Sequence, residues 1–342
     1  MTLTHVLPQT AAHFAALNIF SPMLSPDSDG ASGSRAGLPP LHPPVRYCSA
    51  RALALGQMAD LSYCSRRLIQ TTLLEEWGFD SVEFFPIGST EAFITADSEK
   101  IIVAFRGSDG LEDWLHNLKL DLVHDSTQQP SSEPGPKALQ SSIDGPMNSL
   151  IQGKVHAGFL KMIGAVGQDM RQTIGRLKVQ AHWRGKELAV WFTGHSLGAA
   201  LATLAVAQLR LVNESIQGLY SFASPRVGDR TFAHHFNTDF GFKTFRVVNK
   251  NDLIPRIPLR SLGYHHVGQL YYFDRMGQLH AHSRAAFRLL DGLKIHANDL
   301  FDLDFSAAEN HDIGPYLQML YQDYQRSISV ARQSSGMPRQ RL

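Results

Sequence analysis

The residue types best suited to chemistry cluster in Gly194-His195-Ser196-Leu197-Gly198, a G-x-S-x-G pattern inside ELAVWFTGHSLGAALATLAVAQLRLV, residues 187–212. A serine hydroxyl is a weak nucleophile until a base takes its proton, so the pattern gains meaning only if the chain also supplies an imidazole and a group to orient it. A serine held on a sharp turn between a strand and a helix projects its hydroxyl above the sheet edge. Glycines two residues to either side let strand and helix approach without a Cβ clash. The chemistry implied is covalent acyl transfer with Ser196 as nucleophile; the competing reading is an ordinary helix N-cap serine.

The flanking residues favour the elbow. Leu188 to Phe192 is a short apolar, β-leaning run, and small and apolar residues continue after Gly198 for about four helical turns. In hydrolases of this construction the acid follows the serine in the chain and the histidine comes last. Gly218 to Ala223 and Phe242 to Val248 read as two further parallel strands, and the second runs into NKNDLIPRIPLR. Asp252, just past that strand end and followed by Pro255 and Pro258, is placed to orient an imidazolium, with Asp229 as the competing carboxylate. The base must sit on a loop free to reach Ser196. His265 and His266 fall in GYHHVGQLYYF, which reads as a strand, and His280 and His282 alternate along LHAHS as a hairpin partner strand does. His311, in AENHDIGPYLQML ahead of a short helix, and His296 remain as candidates.

An acyl-transfer site also needs two backbone N–H donors aimed at the developing oxyanion. In this architecture one comes from the residue after the nucleophile, here Leu197, and the other from a loop after an earlier strand. Short β-like runs at Val82 to Pro86, Thr90 to Ala96 and Ile101 to Phe105 precede Arg106-Gly107-Ser108.

TGHSLGAALATL, together with FRGS (105–108), VHAGF (155–159), FASPRVGD (222–229) and NDLIPRIP (251–258), resembles the class 3 lipases: filamentous-fungal triacylglycerol lipases, related feruloyl esterases and plant phospholipase A1 enzymes. The resemblance runs over roughly residues 47 to 325 with the motifs in the same order. It implies an α/β-hydrolase-like single domain, a mostly parallel twisted sheet flanked by helices, that hydrolyses carboxylic esters through an acyl-enzyme without a cofactor. It further implies a lipid or ester substrate, acylglycerols foremost, with phospholipase A1 or feruloyl and short-chain esterase activity as alternatives. Some relatives with the fold act in protein interactions, so a catalytically inactive module is the non-enzyme alternative. By the same resemblance Asp252 is the acid, His311 the base, and Ser108 the second oxyanion donor beside Leu197. His156 belongs to a motif read as structural.

The fungal enzymes carry a lid helix with a tryptophan where this chain has DGLEDWLHNLKLDLV, which Trp114 matches. There Leu111, Trp114, Leu115, Leu118 and Leu122 share one helical face opposite Glu112, Asp113 and Lys119. A movable lid that touches substrate and a fixed surface helix both fit that periodicity. Residues 124–153 show little helical or strand periodicity and read as a polar loop longer than the matching segment of the fungal enzymes.

The chain of 342 residues, 43% hydrophobic, is long enough to bury a substantial core, and the motif order argues for one domain. Its 32 basic and 31 acidic residues leave no electrostatic footprint for nucleic acid or an anionic membrane. No apolar run reaches the ~18 residues that a bilayer span needs. Only two cysteines occur, Cys48 and Cys64, and they read as small hydrophobes rather than a disulfide framework. The fungal relatives are typically secreted and disulfide-braced. The N-terminus here lacks a basic start followed by an unbroken apolar core, so a cytoplasmic location is the expectation. No H-E-x-x-H or Cys/His metal spacing and no phosphate-cradling glycine loop is present.

The expected organisation is a flexible arm over 1–44, rich in Pro, Gly and Ser; a catalytic domain over 45–326, with lid and loop at 109–153; and a disordered basic tail over 327–342. Within the domain, Tyr47 to about Trp77 reads as one or two helices, and VHAGFLKMIGAVGQDMRQTIGRL as one long helix.

Overall fold

Strands form here where branched and aromatic residues alternate between two faces that are both buried. Along the third strand Ile101, Val103 and Phe105 enter one core cluster, while Ile102 and Ala104 enter the other. The same split recurs at Val190 and Phe192 against Trp191. A sheet buried on both sides favours parallel pairing with helices as crossovers.

The computed structural model describes residues 45–108, 122–124, 151–209, 216–249, 252–281 and 311–334. Several expectations lie outside those residues: the arm over 1–44, the lid residues Trp114, Leu115 and Leu118, most of the polar loop, and His282 and His296. In chain order, α1 (Ser49–Leu61) and α2 (Arg66–Thr71), the latter continued by a π-turn at Thr72–Glu76, lead into β1 (Ser81–Ile87), β2 (Thr90–Ala96) and β3 (Lys100–Phe105). Then come β4 (Leu122–His124), β5 (Lys154–His156), α3 (Ala157–Gly164), α4 (Gly167–His182), β6 (Ala189–His195) and α5 (Leu197–Gln208). After α5 follow β7 (Ile216–Phe222), β8 (Gly228–Asp229), α6 (Arg230–Phe240) and β9 (Thr244–Asn249). The chain closes with β10 (Tyr264–His265), β11 (Gln269–Phe273), β12 (Leu279–Ala281) and α7 (Ile313–Ser334).

The main sheet has the order β1-β2-β3-β6-β7-β9-β11-β12. Neighbours from β3 through β11 are parallel, and antiparallel strands close each edge. A small antiparallel sheet, β10-β8-β5-β4, sits apart from it. On one face α3, α4, α5 and α6 supply the core; on the other, α1 and α7 do. The expected α/β-hydrolase architecture is the one observed, and β12 pairs with β11 as a hairpin partner.

Two expectations are corrected. The helix read through 155–177 is broken: Lys154–His156 pairs as β5, and Val166, at φ −126°, leaves helical geometry between Gly164 and Gly167 while burying its side chain. The helix after His311 is long, and it carries the chain as helix to Ser334, past the start of the expected tail at 327. Ile313, Tyr316, Leu317, Leu320, Tyr324 and Ile328 recur at helical spacing and pack on the α1 side of the core, which holds the extra turns. At Gly56 of α1 an added Cβ would lie 3.1 Å from both Leu317 Cδ2 and Leu320 Cδ1, so a small residue lets α1 and α7 close together. Cys48 and Cys64 are both free thiols, half-buried and buried respectively.

Candidate active site

The strand-to-helix turn is built from backbone contacts that leave no room for side chains. A Cβ on Gly194 would lie 2.4 Å from the Gly198 carbonyl carbon, and one on Gly198 would lie 2.2 Å from the Phe105 carbonyl oxygen. Ser196 between them sits at φ 57°, ψ −128°, a left-handed conformation that a non-glycine residue holds only when its surroundings enforce it. Those surroundings are the Ser196 N–H donating to the Phe222 carbonyl at 3.0 Å, and the Ser196 carbonyl accepting from Ala199 and Ala200 N–H groups at 3.0 and 3.3 Å. The helix behind the turn, α5, is buried along its whole length, as its apolar composition on every side requires.

The acid stands at the end of a strand two places away in the sheet. Asp252 follows β9, donates its N–H to the Asn249 carbonyl at 3.1 Å, and accepts the Ile254 N–H on Oδ1 at 2.9 Å. His311 stands just before α7. Its Nδ1 lies 3.0 Å from each Asp252 carboxylate oxygen, and its Nε2 lies 2.8 Å from Ser196 Oγ. A carboxylate only accepts, so Nδ1 carries the ring proton and Nε2 is left to accept the serine O–H. Ser196, Asp252 and His311 are 2%, 0% and 5% exposed, so this chain of hydrogen bonds runs through a buried site.

The other candidates among the described residues stand away from this line of hydrogen bonds. Asp229 caps α6, its Oδ1 accepting from Phe232 N–H at 2.8 Å. His156 caps α3 by accepting from Phe159 N–H at 3.4 Å and stacks on that ring at 4.2 Å, the structural role expected of it. His265 lies in β10. His266 stands just past that strand and donates from Nε2 to the Pro255 carbonyl at 2.6 Å, holding the turn beyond Asp252. His280 pairs with Asp274 at 2.8 Å in the β11–β12 hairpin.

The two expected oxyanion donors lie on α5 and on the segment after β3. Leu197 is the first residue of α5, where an N–H has no intrahelical acceptor. Ser108 lies on the segment that leaves β3 beside the elbow, since the Phe105–Arg106 backbone is what a Gly198 side chain would strike. Thr90 Oγ1 steadies this segment by donating to the Arg106 and Gly107 carbonyls, at 2.9 and 3.2 Å.

Three residues of the site escape motif reading. The Tyr316 hydroxyl donates to Asp252 Oδ2 at 2.7 Å and accepts the Asn249 N–H at 3.0 Å. Burial, and then the Asp252 charge, push its phenol well above the ordinary range. His195 and Tyr63 form a second hydrogen-bonded pair beside His311. Tyr316 lies in the periodic apolar pattern of α7 and reads from sequence as core; Tyr63 carries no sequence signal; and His195 fills an unrestricted position of the elbow pattern.

A mostly parallel, doubly covered sheet, with a strained serine at a strand-to-helix turn joined by hydrogen bonds to histidine and aspartate, defines an α/β-hydrolase site. Residues 102–262 match the family described as Lipase (class 3). Curated relatives include the chloroplastic phospholipase A(1) DAD1 of Arabidopsis thaliana, 34% identical over 46% of this chain and 33% of its own length. A lipase of Rhizomucor miehei is 32% identical over 54% of this chain and 46% of its own. The secreted mono- and diacylglycerol lipase A of Penicillium cyclopium is 34% identical over 54% and 52%. The chain thus spans between a third and about half the length of these relatives. Among solved structures, the triacylglyceride lipase of Rhizomucor miehei superposes with a TM-score of 0.51 at 25% identity, covering 68% of this chain and 82% of that one. A mutant form of MDLA from Penicillium cyclopium, with a TM-score of 0.54, 23% identity and coverage of 76% and 93%, supports the fold alone.

Proposed function

We propose that the protein is a serine-dependent carboxylic ester hydrolase acting on acyl lipids, acylglycerols foremost. The observation that carries this reading is the unbroken hydrogen-bonded line from Ser196 Oγ through His311 to Asp252. His311 Nε2 takes the Ser196 proton as Oγ attacks the ester carbonyl, and Asp252 stabilises the imidazolium that forms. The N–H groups of Leu197 and Ser108 hold the oxyanion, and His311 then returns the proton to the leaving alcohol. Water, deprotonated by the same imidazole, attacks the acyl-enzyme and releases the acid. This chain of steps asks for no cofactor.

Carrying the substrate class over from relatives named as lipases supports the acylglycerol assignment, and the phospholipase A(1) among them keeps head-group cleavage as a second reading. No helix among the described residues is long and apolar enough to cross a membrane, so access to lipid is read as a surface encounter. The test is hydrolysis of a chromogenic acyl ester and of emulsified mono-, di- and triacylglycerol and phosphatidylcholine by the native chain and by Ser196→Ala. Loss of activity on the order of a millionfold in the variant is expected, since removing the nucleophile removes the whole covalent route. Equal rates, together with no labelling by a fluorophosphonate, would leave a binding module in place of an enzyme.

A further inference from the structure

A second buried imidazole stands against the first. The His195 and His311 rings are 4.7 Å apart, centroid to centroid, and His195 is 3% exposed. His195 Nε2 lies 2.7 Å from the His311 carbonyl oxygen, and its Nδ1 lies 2.9 Å from the Tyr63 hydroxyl. A carbonyl oxygen only accepts, so Nε2 carries the proton. In a neutral ring Nδ1 is then an acceptor, which the Tyr63 O–H satisfies. Burial, and next the neighbouring His311, hold His195 well below the ordinary imidazole range, so it stays neutral while His311 gains the serine proton. The Tyr63 hydroxyl also fills the space at Gly107, where an added Cβ would lie 2.0 Å from that oxygen and 2.9 Å from the His195 carbonyl. The Tyr63 side chain therefore touches both Gly107, on the segment leading to Ser108, and the His195 ring, and that ring in turn holds the main chain of the base.

We propose that His195 is the positioning residue of the general base, with Tyr63 fixing its tautomer. The inference rests on the hydrolase reading above and deepens it. His311 comes to Ser196 from 115 residues further along the chain, and its side-chain bonds to Oγ and to Asp252 depend on where its backbone stands. The His195 N–H pins that backbone to the elbow itself. A base displaced by about 1 Å loses roughly a hundredfold in rate, because near-attack geometry is lost while the substrate still binds.

The experiment measures kcat and KM for a soluble acyl ester, with thermal midpoints, for the native chain, Ser196→Ala, His195→Phe, His195→Gln and Tyr63→Phe. Phenylalanine keeps the volume and loses both hydrogen bonds; glutamine keeps an N–H near the Nε2 position. His195→Phe is expected to lower kcat about 30- to 100-fold with KM within about twofold. His195→Gln is expected within about fivefold of native, and Tyr63→Phe about three- to tenfold below it, the scale of one neutral hydrogen bond. Native kcat in the phenylalanine variant, a loss confined to KM, or a glutamine variant no better than phenylalanine would overturn the positioning role. If His195→Phe does not fold, Tyr63→Phe decides, and an unchanged kcat there overturns it. A native chain no faster than Ser196→Ala would instead defeat the hydrolase reading, and the inference with it.

Discussion

The nucleophile and its base arrive at the same point by opposite means. Ser196 is held by its sequence neighbours and adjoining strands: Gly194 and Gly198 at van der Waals limits, the Phe222 carbonyl, and a helix buried on all sides. His311 is held by partners 59 to 116 residues away, namely Asp252, Ser196 and the His195 ring, and by the packing of α7 on α1. The elbow is an assembly of backbone contacts with nothing to truncate; the base side is an assembly of side chains that can be removed one at a time. The site should therefore fail first on the base side, by repositioning rather than by loss of the nucleophile.

The sharpest way to break that contrast is Asp252→Asn. An amide can donate to the ring and favour the wrong imidazole tautomer, and turnover should fall on the order of ten thousandfold, about 5.5 kcal/mol, while the fold and the elbow persist. Steady-state kinetics beside a thermal melt measures both, and a variant retaining a tenth of native activity would mean that the carboxylate is not the orienting group. Next in size is Leu320→Ala on α7, fully buried against α1. It should cost about 2–5 kcal/mol in urea unfolding, and activity should disappear at lower urea than the far-ultraviolet signal of the sheet if α7 is the weaker mount. Coincident transitions would make the two halves one cooperative unit.

Tyr316→Phe probes a single contact. It removes a hydrogen bond to a carboxylate and the Tyr316 oxygen that accepts the Asn249 N–H, so about 1.5–3 kcal/mol of stability and roughly a tenfold drop in kcat are expected. An unchanged kcat would show that Asp252 is oriented sufficiently by Ile254 and His311 alone.

The same contrast decides what the sequence discloses. The elbow is legible because its physics is local: glycine spacing, a β-run and a small-residue helix are all visible within one window, and the strand ends that deliver Ser108 and Asp252 follow from period-two runs and turn residues. The base is legible as His311 only by resemblance, since its loop carries no period and chain order alone left His296 as a rival. The break at Val166 and the length of α7 depart from the sequence expectation because a buried valine and a run of surface polar residues give the same local signal in more than one geometry; tertiary packing on α1 is what extends α7 to Ser334. Tyr63 and the His195 ring act through a contact between segments 132 residues apart, which no windowed pattern contains.

The smallest effect is the most general, because it comes from protons rather than a mutation. His195 is held neutral when folded, its affinity for a proton lowered first by burial and then by His311, and His266 is shifted the same way by burial and by the Arg246 and Arg226 charges. In the unfolded chain both imidazoles return to their ordinary value of about 6.5. Below that pH the unfolded state binds protons that the folded state refuses, so stability must fall as pH drops and be flat above about pH 7. For His195 alone the slope is at most about 1.4 kcal/mol per pH unit, and it should be read between about pH 5 and 6.5, before carboxylates dominate. Urea unfolding at stepped pH, native against His195→Gln, isolates the contribution, since glutamine keeps a donor and has no proton to gain. A shallower acid slope in the variant places the acid-sensitive point on the mount of the base; identical slopes would remove His195 from that role and leave His266 and the carboxylates to account for it.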